Sequence, residues 1–490
     1  MTANRLPSTA MLTNQLASDT AHDAPDRAAE NHAARRAALA CMVTLAVALG
    51  IGRFAFTPLL PLMLHGSAYG QPQIDIQHGG WLASFNYAGY FVGAVACAAL
   101  RRVEAARMVR AGLVLTVLLT LAMGVTSQFW MWAVVRFIAG AVSAWTFVFA
   151  SQWGLRRLHE LGAHGWGGVI YTGPGVGIAG TGLLVSAAGG LGPTVGWIGF
   201  GLIAAVLSVV VWSVFGGASD GGAANAGPRQ GAAAADAAAA RAATADAATE
   251  RVVTEGAASQ HAATQAAATQ HAAAQHAATQ HAAAQRPTTQ PLTTRVPHRA
   301  DAFWLVLLYG VPGFGYIITA TFLPVIARHA LPGSSWPDLF WPMFGLALIV
   351  GALLAARLPL HWDNRTLLAG CYVLQACGIA LGIVWPTAGG FSLGSILIGL
   401  PFTAITLFAM REARHLRGDH AAGLMGYATA AYGIGQIIGP LVAAPIAEHT
   451  GSFSLALWLA AGALLLGAVG LIGVAHWPHG RSRMPDCGCS

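Results

Sequence analysis

Lysine is absent from this chain of 490 residues: all 26 basic residues are arginine, and acidic residues number only 19. Charged side chains make up 9% of the sequence, against roughly 25% in a typical soluble protein. A water-soluble fold of this size could not cover its surface with so few charges, so the composition points to a polytopic membrane protein. The acids avoid the middles of the apolar stretches. Asp338, Glu412 and Glu448 all fall near stretch ends, leaving no central carboxylate pair for hydrolysis and none of the usual proton-relay acids. No P-loop or G-x-S-x-G occurs, so neither ATP hydrolysis nor a serine nucleophile is read. Cysteine is scarce too. Cys41, Cys97, Cys371 and Cys377 lie in apolar runs and read as small buried hydrophobes, while Cys487 and Cys489 sit in the tail CGCS and suggest no disulfide framework.

Two motif-like strings fail in detail. GVGIAG (175–180) has dinucleotide-loop spacing but no preceding strand. HELGAH (159–164) places its second histidine one position too far for a zinc-binding helix. No cofactor, metal or catalytic residue is expected. The net charge of +7 reads as membrane topology, not as a nucleic-acid footprint.

Apolar runs dominate what is present. Twelve can be counted, at 37–64, 79–100, 107–126, 129–153, 165–190, 194–215, 302–327, 337–357, 366–386, 389–410, 420–447 and 453–475. Each is long enough for a spanning helix, and all read as helices because an open strand cannot satisfy its backbone in lipid. The first run is too long for a signal-peptide core, so no cleavable leader is read. Of the 26 arginines, 23 fall in the end segments and alternate connections, one (Arg328) falls in the opposite set, and Arg53 and Arg136 lie inside runs. That bias places both termini in the cytoplasm. The expected organisation is a disordered N-terminus (1–36), a six-helix bundle (37–215), a low-complexity cytoplasmic linker (216–300), a second bundle (301–476) and a short tail (477–490). The linker repeats in fives, as HAATQ, AAATQ and HAAAQ. Its histidines do not share one helical face, which argues against a metal site.

The two bundles echo each other. GIGRFAFTPLLP (50–61) aligns with GFGYIITATFLP (313–324), so that Gly50, Gly52 and Pro61 meet Gly313, Gly315 and Pro324, and Arg53 meets Tyr316. GAVACAAL (93–100) aligns with GALLAARL (351–358). Duplicated halves with a site between them near the midplane are a transporter architecture.

With these features the chain resembles the major facilitator superfamily. Arg136 and Gly140, in RFIAGAVSA, look like that superfamily's R-x-x-x-G motif; YTGPGVGIAGTG (171–182) looks like its Gly-Pro antiporter motif, with Gly173, Pro174 and Gly177 in place. The connection ALRRVEAARMVR departs from the pattern by lacking its Asp. GIGRFAFTPLLPLM and GGWLASFNYAGYFVGA (79–94) resemble the YbfB/YjiJ branch. The resemblance implies an all-α membrane protein, twelve transmembrane helices in two pseudo-symmetric six-helix bundles, and secondary transport by alternating access.

Arg53 is the residue that most needs a purpose. A charge at a helix centre costs about 3 kcal/mol on insertion scales, and no midplane acid offsets it. One reading ties it to carbonyls freed near Pro58 and Pro61; the other makes it an anion contact. Thr57, Asn86, Tyr90, Tyr309, Tyr316 and Gln436 are the polar candidates for sharing a substrate site with it, and Arg136, Gly140, Gly173, Pro174 and Gly177 are motif or path residues. The expected activity is movement of a small organic solute, anionic or amphipathic, across a bacterial inner membrane. The Gly-Pro motif leans to export. A proton or counter-ion is a candidate coupling partner, the lipid bilayer is the surround, and a monomer is expected. The rival is a membrane-embedded sensor or scaffold without flux.

Overall fold

In the computed structural model, residues 30–65, 73–99, 103–216, 299–355, 357–359, 361–418 and 421–476 are described. The expected low-complexity linker lies outside them apart from its two edges, as do the C-terminal tail and the first 29 residues. Among the described residues, twelve long helices follow in chain order: α1 (Glu30–His65), α2 (Ile76–Ala99), α3 (Ala105–Val125), α4 (Phe129–Glu160), α5 (Gly167–Ala188), α6 (Gly192–Trp212), α7 (Arg299–Ala330), α8 (Pro337–Ala355), α9 (Asn364–Val384), α10 (Ala388–Arg417), α11 (Ala421–Thr450) and α12 (Ser454–His476). Among the described residues, eleven of these are long and apolar enough to cross a membrane by length and composition; α2 is not among them. It carries His78, Ser84, Asn86, Tyr87 and Tyr90, and that polarity lowers its hydropathy.

One boundary differs from the expectation. α1 begins at Glu30, inside the stretch read as disordered, because Ala34 is buried and carries the packed face of Ala37 and Ala38 back beyond the start of the apolar run. Three of the four described cysteines are buried as expected; Cys377 is exposed on α9.

The two halves use the same pairings. α1 packs on α5, α2 on α4, and α3 on α4 and α6; correspondingly α7 packs on α11, α8 on α10, and α9 on α10 and α12. Gly93 of α2 abuts the backbone of α4 at Ala141, and Gly351, its counterpart on α8, abuts the backbone of α10 at Leu400. In each case a Cβ would strike a carbonyl, so only glycine permits the approach. Large apolar side chains such as Leu118, Val206, Val209, Leu466 and Val469 face outward. A surface that apolar belongs in lipid.

The halves meet along three seams, α2 with α11, α5 with α8, and the later part of α1 with α7. The hydrogen bonds across the first and third seams lie toward the end remote from Glu30 and His476: Thr57 Oγ1 donates to the Ala320 carbonyl at 2.9 Å, Ser84 Oγ donates to the Ile437 carbonyl at 2.9 Å, and the hydroxyls of Tyr87 and Thr321 pair at 3.0 Å. The extended contacts of α10 all lie within its own half. The two bundles are thus closed against each other at the end remote from Glu30 and His476.

Candidate functional site

The site begins with a broken helix. α1 runs as a π-helix over Ala46–Ile51, turns over residues 52–55 and resumes as α-helix over Phe56–His65. Pro58 supplies the reason. It has no N–H to give the Phe54 carbonyl, so the Thr57 N–H turns to Phe54 at 3.2 Å instead of reaching Arg53. The Arg53 carbonyl is left without its helical donor. Arg136 takes that place, its Nη1 and Nη2 each donating to the carbonyl at 3.3 Å while Nε reaches the Leu82 carbonyl at 3.4 Å. Its guanidinium also lies 4.6 Å from the Phe56 ring centre. Arg136 is fully buried and clasps α1 and α2 from α4. The freed-carbonyl role weighed for Arg53 is filled instead by Arg136, read from the sequence only as a motif or path residue.

That leaves the Arg53 side chain for the seam between the halves. Its Cζ lies 3.9 Å from the Tyr90 ring centre and 5.1 Å from those of Tyr87 and Phe54. Cation–π contacts with desolvated rings contribute about 2 kcal/mol, which offsets part of the cost of holding the charge there. Nη2 donates to Gln436 Oε1 of the opposite half at 3.0 Å, and the Gln436 amide in turn donates to the Tyr316 hydroxyl. Arg53 Nε has no partner. Among the described residues no carboxylate pairs with Arg53 or Arg136; the ion pairs lie elsewhere, as in Arg328 with Asp338 and Arg365 with Glu412 and Asp301.

Beyond Gln436 stands a column of phenols. Tyr316 stacks on Tyr432 with centroids 6.0 Å apart, Tyr432 on Tyr309 at 5.1 Å, and Tyr309 donates to Thr406 Oγ1 at 3.1 Å. Phe402 meets Tyr316 edge-on at 5.0 Å.

The predicted residues therefore divide. Arg53, Tyr90, Gln436 and Tyr316 converge, with Tyr309 reached through Tyr432. Thr57 lies apart, in the closed α1–α7 seam. Asn86 is fully buried between α2 and α4, its amide donating to the Arg136 carbonyl at 2.9 Å, and Gly140 lets α4 press on the Asn86 carbonyl. Gly173 and Gly177 do the same for α5 against α1, at the Met42 and Ala46 carbonyls, and Pro174 is buried beside them. Tyr87, Phe54 and Thr406 were not foreseen. Tyr87 stands one residue from Asn86 on an apolar face, and only the position of Arg53 reveals its use.

The family profile described as "Uncharacterised MFS-type transporter YbfB" matches residues 45–246 and again 226–471. The chain belongs to the YbfB-type family of MFS transporters. It is therefore a transporter and not an enzyme, and the repeat seen in both sequence and helix pairing is that of an MFS fold. The transporter is also similar in fold to a crystal structure of a mutant form of the nucleoside transporter NupG, with a TM-score of 0.60 and 13% identity over 89% of this chain and 99% of that one. No curated protein sequence matches it.

Proposed function

We propose that this transporter moves a small organic anion by alternating access, with Arg53 as the anion contact. The observation that carries the reading is a buried guanidinium at the seam between the halves, with no carboxylate partner and with Nε unpaired. An incoming carboxylate or phosphate offers two acceptors to the Nε and Nη2 edge, the fork geometry for which arginine is suited and lysine is not. Tyr90 and the phenols beyond Gln436 would shape the remainder of the pocket, which favours amphipathic solutes over very small ions.

The arginine bias supports an inner-membrane orientation with both termini in the cytoplasm. In that orientation the closed end faces outward. The Gly-Pro motif favours export, and a monomer suffices because both halves of the site lie on one chain. Coupling to a proton or counter-ion would have to use groups outside the centre, where Asp338 is already held by Arg328 at 2.6 Å.

Metabolite accumulation compared between a deletion strain and an overexpressing strain would identify the solute. Arg53→Lys should then weaken transport strongly and Arg53→Gln abolish it, both at normal membrane abundance. Normal abundance with unchanged affinity for the identified solute would overturn the anion contact.

A further inference from the structure

We propose that Gln436 is the empty-site partner of Arg53 and the clasp that holds the two halves closed until a substrate replaces it; the last clause rests on the anion reading above. Gln436 accepts the Arg53 Nη2 hydrogen bond from the opposite half, while Tyr90 engages the guanidinium from Arg53's own half. Its orientation is not free. The amide nitrogen is engaged by the Tyr316 hydroxyl, which turns Oε1 toward the arginine. Both side chains are 4% exposed, so the bond is shielded from water.

The clasp is incomplete by construction. A single amide oxygen satisfies Nη2 and leaves Nε empty. A carboxylate satisfies both at once and carries charge, and charge-assisted paired bonds are roughly twice as strong as neutral ones. Exchange of Gln436 for an anion is therefore downhill at the guanidinium, while the reverse exchange still gives the empty carrier a partner for its buried charge. The neighbouring residue, Ile437, accepts the Ser84 bond across the same α2–α11 seam, and Tyr316 lies four residues before Ala320, which accepts from Thr57. Displacing Gln436 thus loosens α11 and α7 at the places where they hold the other half.

The test is hydrogen–deuterium exchange on the full chain in lipid nanodiscs, read in peptides covering 54–62, 316–325 and 434–444. Gln436→Met keeps the bulk and removes the acceptor; exchange should rise roughly tenfold in all three segments, the factor carried by one hydrogen bond to a charged group. Gln436→Glu gives Arg53 a tethered carboxylate, and exchange should fall below that of the unaltered protein. A misfolded Met variant would raise exchange everywhere, whereas the Glu variant can only slow it at the seam if the contact is real. Equal rates in both variants and the unaltered chain would overturn the clasp. Benzoate, acetate and inorganic phosphate then serve as probes. Faster exchange in the unaltered protein with benzoate, absent in Gln436→Glu, supports displacement, and an equal response in Gln436→Glu refutes it. If the two variants move in opposite directions while none of the three anions has any effect, the clasp stands and the anion reading falls.

Discussion

The two halves share a motif and a set of helix pairings, yet they treat their first helix oppositely. In the alignment of GIGRFAFTPLLP with GFGYIITATFLP, Pro58 stands opposite Thr321. Thr321 keeps its N–H, and α7 runs unbroken from Arg299 to Ala330 despite Pro312 and Pro324. Pro58 does not, and α1 breaks where Arg53 sits. The aligned neighbours Thr57 and Ala320 touch each other across the seam, so the two helices cross at equivalent points. The halves also store charge differently. The N-terminal half buries two arginines on carbonyls, rings and an amide, whereas the C-terminal half holds the half-buried Arg365 among Glu412 at 2.7 Å, Asp301 at 3.3 Å and the Val474 carbonyl at 3.2 Å. A repeated scaffold has been specialised, with one half shaped around a cation that lacks an acid and the other around a conventional ion cluster.

The contrast can be broken from either side. Arg136→Leu should have the largest effect, because it strips the Arg53 carbonyl of its donor in a place water does not reach. A loss of roughly 3 kcal/mol or more is expected from the orphaned carbonyl and the lost ring contact, read as a sharp fall in membrane abundance and melting temperature. Glu412→Gln attacks the C-terminal counterpart and should destabilise by roughly 2–3 kcal/mol, since Arg365 is then left half-paired, read by thermal melting in detergent. Arg107→Ala, which breaks an exposed pair with Glu104, provides the control and should shift melting hardly at all. Pro58→Thr makes the first helix like the second. It should leave folding nearly intact, heal the α1 break and cut solute transport severely; undiminished transport would show that the break is incidental. Thr321→Val removes only the hydroxyl contact with Tyr87 and should cost about 1 kcal/mol, measured as faster deuterium exchange in α7.

Much of the architecture was legible in the chain because lipid leaves few choices: apolar length sets the helices, and arginine placement their expected direction. The repeat located the centre, and Arg53, Tyr316 and Gln436 were recognisable as polar groups with no reason to be in apolar runs. What could not be read was who satisfies whom. The carbonyl freed by Pro58 was visible, but its donor lies 83 residues away on α4. The ion cluster joins residues from α7, α9 and α10, each of which alone looks like an ordinary helix-end charge. Asn86 read as a pocket residue from its type; its depth between α2 and α4 follows from Gly140, whose missing Cβ brings the helices together.

The α5–α8 seam has its own consequence. Gly175 and Gly345 face each other there, and a Cβ on Gly175 would come within 2.7 Å of the Gly345 carbonyl. Ile349 sits in the hollow left by Gly175, and Ile178 in the one left by Gly345, so each helix carries a tooth that fits the other's gap. Such a contact is a pivot: it keeps the bundles in touch at close range and in register, while the angle between them is set elsewhere, by the side chains along α1, α7 and α11.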